Sequence, residues 1–266
     1  MKSGVIVSSV SGLDQIYIAS GLIAYIKKIT TNILYSIAFC HKKIFIIFQN
    51  KSDLNLLCSS TFLVKSKTKL INGSGVDLKK FKFSPLPKGK PIILFSGRLI
   101  ESKGVIDFVD SAKVLRDEAR FVICGDIDFE SKDNISYKLL NSWIESKFIE
   151  YWGVSNNMEK ILKKSSIVVL PSYREGLPKS LCEASACGRP VITSNVPGCK
   201  DAIVPNKTGL LVALRNKNDL VIKIKKLLNN PKVMQEMSIN SRKLAEKKFD
   251  KNKINREFLA IYGNVN

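Results

Sequence analysis

Residues 165–198 read SSIVVLPSYREGLPKSLCEASACGRPVITSNVPG, a pattern of strand, loop, helix and strand. Residues 166–170 are a short apolar run rich in β-branched side chains, as a strand buried on both faces of a parallel sheet requires. Pro171 stops that strand and the polar loop SYREG follows. Pro178 suits the first turn of a helix, and Gly188 with Pro190 marks its end. Residues 191–193 then open the next strand. The loop thus falls at the carboxyl edge of a parallel sheet beside a helix N-terminus, where open α/β sheets bind ligands and an anionic group is favoured.

Outward from this stretch the same alternation continues. Strands are expected at residues 92–95, 121–124, 148–152 and 208–212, and helices at 105–115, 135–146, 217–228 and 231–247. A last helix over 253–262 places Phe258, Leu259 and Tyr262 on one face. Together these predict an α/β fold with a doubly wound parallel sheet. Residues 1–70 differ: they carry nine lysines against only Asp14 and Asp53. Strands are expected at 5–10 and 44–48 with a helix between them, and Asn50 or Ser52 caps a further helix. Two or three strands are too few for a complete α/β domain. Residues 72–77, NGSGVD, allow a tight crossing of the backbone but lack the third glycine and following helix of a dinucleotide fingerprint. Residues 81–89, with Pro85 and Pro87, read as a linker.

The 266-residue chain is 45% apolar, ample for a packed core, and carries a formal net charge of +20. Such a charge suits nucleic acid, an anionic membrane surface or a polyanionic substrate, or reflects a lysine-rich composition. No RNA- or DNA-binding motif is present, so no nucleic-acid partner is expected. Six cysteines without a C-x-x-C pair fit reduced thiols in a cytosolic protein. His41 is the sole histidine, which excludes a histidine-built metal site. The apolar run at 16–26 is too short to cross a bilayer. The expected location is cytoplasmic, with contact to the cytoplasmic face of the inner membrane.

Two carboxylates bracket the corner at 165–198. The plain reading of Glu183 is a capping box with Ser180, and of Glu175 a solvated loop charge. Residues 96–104, SGRLIESKG, lie where another strand ends. There Gly97 lets the backbone approach a ligand while Arg98 and Lys103 project cations, as a departing diphosphate needs. Asp126 and Asp128 form a D-x-D pair whose default reading is a solvated turn and whose rival is a divalent-metal site.

Glu175-Gly176-Leu177-Pro178, then Glu183-Ala184 and the Gly188-Arg189-Pro190-Val191 exit, closely resemble the E-x7-E signature of retaining GT-B glycosyltransferases of family 4. SGRLIESKG resembles that family's G-R-x-x-x-x-K-G loop, and NGSGVD its interdomain segment. The resemblance implies sugar transfer from a nucleotide-sugar donor, a UDP-hexose or UDP-N-acetylhexosamine, with no further cofactor and no metal. It implies that Arg98 and Lys103 bind the donor diphosphate, that Glu175 contacts the sugar hydroxyls, and that the Gly176 and Leu177 amides flank sugar and phosphate. Glu183 would hold the ribose, and Gly97, Gly125 and Trp152 would line the nucleotide pocket. PSYREGLPKS and EASACGRPVIT resemble enzymes extending lipid-linked oligosaccharides, which implies an undecaprenyl-diphosphate acceptor and an anionic lipid surface. By the same resemblance residues 1–72 are a partial acceptor domain, 73–89 an interdomain linker, 90–247 the donor-binding domain and 248–266 a helix crossing back. IFIIFQNKSD resembles the last strand and helix of an acceptor domain, and Ser11-Gly12-Leu13 an earlier loop of it. The family's glycine-rich first loop and upstream histidine are missing, so about the first half of an acceptor domain is expected to be absent. The rival reading is a catalytically silent sugar-nucleotide-binding partner.

Overall fold

A computed structural model describes residues 6–13, 17 and 21–264. Val5, Asp14, most of 16–20 and the last two residues of the expected C-terminal element lie outside them. Two parallel sheets are present. The larger contains β4 (Ile92–Ser96), β5 (Arg120–Cys124), β6 (Glu150–Tyr151), β7 (Ile167–Leu170), β8 (Val191–Ser194) and β9 (Gly209–Val212), in the order β6-β5-β4-β7-β8-β9. β4 and β7 are buried along their whole length, as their unbroken apolar runs dictate. From β4 the chain winds outward through β5 to β6, then returns to β7 and winds the other way. The reversal lies between β4 and β7, so the loops leaving these strands diverge and open a crevice.

Helices α3 (Val105–Leu115), α4 (Tyr137–Glu145), α5 (Met158–Lys164), α6 (Lys179–Ala186), α7 (Lys217–Leu228) and α8 (Pro231–Lys248) accompany this sheet. Phe108 of α3 stacks edge-on between Phe95 and Phe121, with centroid separations of 5.5 Å to each. α6 starts after Pro178 rather than on a capping side chain, so Ser180 lies inside the helix and makes no capping box with Glu183. Past its end, Gly188 adopts φ +74 and lies against the Phe83 ring, where a Cβ would come within 2.6 Å.

The smaller sheet holds β1 (Ile6–Val10), β2 (Ile44–Phe48) and β3 (Thr68–Leu70) in that order, all parallel. α1 (Leu22–Phe39) links the first two strands and α2 (Lys51–Ser60) follows the second. α2 starts where Asn50 caps it, its side chain accepting from Asp53 N at 2.8 Å. α1 buries only Ser36 and Phe39; Leu22, Ile23, Ile26, Ile33, Leu34 and Ile37 face solvent.

The connection between the sheets is ordered. Val76 N–H donates to Phe249 O at 2.7 Å, and Lys251 N–H donates back to Val76 O at 3.1 Å. Gly75, at φ +74, makes room: a Cβ there would lie 2.7 Å from Lys251 Cα. The linker is fastened by Arg189, a fully buried side chain. Its guanidinium donates to the carbonyls of Ser84, Pro85, Ser165 and Cys187, and burial pulls its pKa down to about 10. After that crossing, α9 (Lys251–Asn264) packs Ile254 and Ile261, with Phe258 beside them, onto Ile47 and Ile71 of the smaller sheet. The expected face of Phe258, Leu259 and Tyr262 is corrected here. Leu259 and Tyr262 are exposed, because residues 254, 258 and 261 share the inward stripe.

Candidate functional site

The site forms at the reversal between β4 and β7. Leaving β4, the chain passes Gly97 and Arg98, makes a short turn at Glu101–Lys103, and enters α3 through Gly104 at φ +75. A Cβ on Gly104 would lie 2.3 Å from Pro171 O, so this glycine lets the loop press against the one leaving β7. Hydrogen bonds then tie the two loops: Tyr173 N–H and the Ser172 hydroxyl both donate to Ser102 O, at 2.8 and 3.1 Å. That approach brings the Lys103 ammonium onto Glu175 Oε1 in a mostly buried ion pair. Arg98 is 62% exposed and reaches across the crevice mouth to Asp128 at 2.5 Å.

Two adjoining cavities result. One, of about 290 Å³, is lined by Ser96, Gly97, Arg98, Lys103, Glu175, Gly176, Leu177 and Pro178. It therefore lies against the N-terminal end of α6. The other, of about 620 Å³, shares Arg98, Lys103, Glu175 and Gly176 and extends to Tyr173, Glu101 and Arg215. At its far end the Arg215 guanidinium sits 4.6 Å over the Tyr173 ring, and burial pushes the Tyr173 phenol up. Ser11, Gly12 and Leu13, following β1, close one side. Residues 6–70 supply three strands, within the two or three expected, and the loop after β1 is the part of them that lines the cavity.

Of the expected site residues, Gly97, Arg98, Lys103, Glu175, Gly176 and Leu177 converge. Glu183, Gly125 and Trp152 line neither cavity. Glu183 lies in α6, largely buried, with Lys179 3.9 Å away; burial raises its carboxyl above the ordinary range, opposed by Lys179 and Lys80. Gly125 abuts Gly97, where a Cβ would fall 1.9 Å from Gly97 O. Trp152 Nε1–H donates to Glu150 at 3.3 Å, with Lys164 over its ring. In the D-x-D pair, Asp128 is held by Arg98, and Asp126 Oδ1 accepts from Ile127 N–H at 2.8 Å.

Several residues of the site were not singled out from the sequence. Arg174 makes a buried ion pair with Asp53, whose other oxygen accepts from Asn50 Nδ2 at 2.8 Å and Leu13 N at 3.3 Å. Asn50 Nδ2 also donates to Gly176 O at 2.9 Å. The sequence offered no separate signal for Asp53, since an acid in the first turn after the Asn50 cap is what a helix N-terminus favours.

The profile of the family described as glycosyl transferases group 1 matches residues 77–244. The chain belongs to that family. It is 33% identical over 270 residues to an N,N'-diacetylbacillosaminyl-diphospho-undecaprenol alpha-1,3-N-acetylgalactosaminyltransferase of Campylobacter jejuni, across 96% of this chain and 69% of that one. It is 31% identical over 186 residues to a UDP-Gal:alpha-D-GlcNAc-diphosphoundecaprenol alpha-1,3-galactosyltransferase of Escherichia coli, across 64% of this chain and 47% of that one. The chain thus spans about two thirds of the first relative and about half of the second. Among solved structures, HepE of Anabaena in complex with UDP-glucose superposes with a TM-score of 0.81 at 16% identity. That match covers 98% of this chain and 72% of HepE, and it shows a shared fold. The fold is therefore GT-B, its larger sheet matching the family profile.

Proposed function

We propose that this group 1 glycosyltransferase moves a hexose or N-acetylhexosamine from a UDP-sugar to a lipid-linked saccharide, with retention at the anomeric carbon. The observation that carries the reading is the convergence of Arg98, Lys103, Glu175 and Gly176 with the N-terminal end of α6 in one crevice. Two cations and a helix N-terminus suit a diphosphate whose charge grows as the sugar–oxygen bond breaks. In this reading Lys103 leaves Glu175 for the diphosphate, freeing the carboxylate to accept from sugar hydroxyls. The amides of Gly176 and Leu177 flank sugar and phosphate. Glu183 accepts from the ribose diol, whose hydroxyl donors add to its ion pair with Lys179. Gly97, Gly125 and Trp152 border the nucleotide. The acceptor hydroxyl attacks from the face the diphosphate leaves, without a protein nucleophile, metal or further cofactor.

The acceptor assignment leans on the two relatives, whose names specify diphospho-undecaprenol substrates. It also leans on charge. The first 70 residues carry nine lysines against two aspartates, of which Asp53 is buried and paired with Arg174. Such a basic segment suits the anionic cytoplasmic leaflet, with attraction of about 1 kcal/mol per basic residue near the surface. No described helix is long and apolar enough to cross a membrane.

Calorimetry with UDP and turnover of a radiolabelled UDP-sugar onto an undecaprenyl-diphosphate saccharide test the reading. UDP binding with transfer is the expected result. Binding without transfer favours the silent-partner alternative, to which the exposed face of α1 lends support. Absence of UDP binding overturns both.

A further inference from the structure

Asn50 and Asp53 belong to the smaller sheet's α2 region, yet each also reaches across to the loop after β7. Asp53 is 1% exposed and pairs with Arg174, itself 11% exposed at the side chain. Asn50 turns its cap oxygen to Asp53 N and its amide to both Asp53 Oδ2 and Gly176 O. The Arg174 guanidinium also lies 6.0 Å from the Tyr17 ring, whose hydroxyl donates to Asn32 of α1 at 2.7 Å. The grip is steric as well as polar. A Cβ on Gly176 would fall 1.4 Å from Ser11 O, and one on Gly198 2.2 Å from Glu175 O. The Glu175–Gly176 peptide is thereby wedged between the loop after β1 and the turn after β8, with Glu175 N–H donating to Pro197 O at 3.3 Å.

A helix cap needs only the Asn50 oxygen. It needs neither the amide bond to Gly176 nor a buried carboxylate aimed at Arg174, and a buried ion pair is weak support for stability in itself. What these groups do is fix the residues on either side of Glu175. We propose that Asn50 and Asp53 are positioning residues for Glu175, so that the smaller sheet sets the sugar-contacting end of the donor site while the cations of the diphosphate end, Arg98 and Lys103, are carried by the larger sheet. The inference rests on the UDP-sugar reading. Its chemical logic is that Arg98 and Lys103 ride on the loop after β4, which among the described residues shares no hydrogen bond with Asn50 or α2, whereas Arg174 donates to Asp53 and Gly176 O accepts from Asn50. Loosening α2's hold therefore alters the fit to the sugar and spares the fit to UDP.

Calorimetry of UDP and of UDP-N-acetylglucosamine on the full chain separates the two ends, with thermal unfolding followed in parallel. Asp53→Asn and Arg174→Gln are expected to weaken the UDP-sugar about tenfold and UDP by no more than about twofold, within the range of couplings carried by packed networks. Arg174→Lys, which keeps the charge but not the fork, is expected to recover part of the loss. Asn50→Ser keeps a good helix cap and deletes the amide that donates to Gly176 O and Asp53 Oδ2. It provides the same test, with a loss of about threefold, should the Asp53 variant fail to fold. An unchanged ratio of the two affinities in folded variants overturns the proposal, and so does a parallel fall of both ligands in step with thermal stability. Failure of the unsubstituted chain to bind UDP overturns the donor reading itself, a result distinct from either.

Discussion

The two sheets of this protein are built from the same βα units but stand at opposite ends of a scale of completeness. In the larger, β4 and β7 are covered on both faces and the core runs continuously from Val76 to Phe249. In the smaller, α1 leaves most of its apolar side chains in water, and only short clusters form around Phe48 and Ile47. The larger sheet has the core of a self-supporting unit. The smaller one derives its place from what it touches: α9 on one side, and the loop after β7 at the crevice. A partial sheet can thus shape a site through two loops, those carrying Ser11 and Asn50, without being a finished domain.

Thiol labelling gives the widest separation between the regions. Cys40 is exposed and Cys58 half-buried in the smaller part, whereas Cys124, Cys182, Cys187 and Cys199 are buried in the larger. Burial raises the Cys187 thiol to about 11 and the Cys199 thiol to about 12. Native-state alkylation should take Cys40 first and Cys58 more slowly, leaving the other four until global unfolding. Labelling of any of those four at the rate of Cys40 would break the contrast.

Next in size is the core itself. Phe108→Ala removes the ring that Phe95 and Phe121 share and should cost about 3–5 kcal/mol of stability in denaturant titration. Binding follows: Arg98→Ala should weaken UDP affinity by about 1.5–3 kcal/mol, and unaltered affinity in calorimetry would remove the diphosphate role. A further test uses pH. Glu183's carboxyl is raised in the unliganded fold by burial. Between the ordinary carboxylate pKa and that raised value the folded state holds more protons than the unfolded one, so stability falls as pH climbs through this window. UDP affinity runs the opposite way, fading on acidification as Glu183 loses the charge that accepts from ribose. Glu183→Gln should flatten both profiles; a wild-type affinity indifferent to pH there would detach Glu183 from the ribose. The smallest effect belongs to α1. Leu34→Ser should change stability by no more than about 0.5 kcal/mol, since Leu34 is mostly exposed. A larger loss would mean the exposed face is covered in solution.

Most of the larger sheet was legible because buried parallel strands announce themselves as apolar runs with Pro or Gly at their ends. The helix expected at 105–115 coincides with α3. The expected strand at 148–152 contracts to Glu150–Tyr151, where edge pairing ends early. Arg98, Lys103 and Glu175 were singled out through the resemblance of their loops to the family's motifs, and they converge in one crevice. Arg174 sits beside Glu175 in the same string and was passed over, because its partner is 121 residues away and no local pattern encodes such a contact. Arg189 belonged to the recognised exit motif, but its work is to fasten the linker carbonyls, a role visible only once Ser84 and Pro85 are seen folding back. The amphipathic stripe of α9 was misjudged by one position, which suffices to exchange Ile261 for Tyr262.

The paired crossing at Val76 and Lys251 has a kinematic consequence. Both covalent passages between the sheets run side by side through one narrow place, so rocking of one sheet against the other turns about a line through that place. Displacement in such a motion grows with distance from the pivot. Gly73, only a few residues from the crossing, lies against Leu177, where a Cβ would approach Leu177 Cδ2 within 3.2 Å. The segment at Leu177 therefore sits on a short lever arm and stays nearly still, while outlying parts of the molecule sweep through the larger arcs.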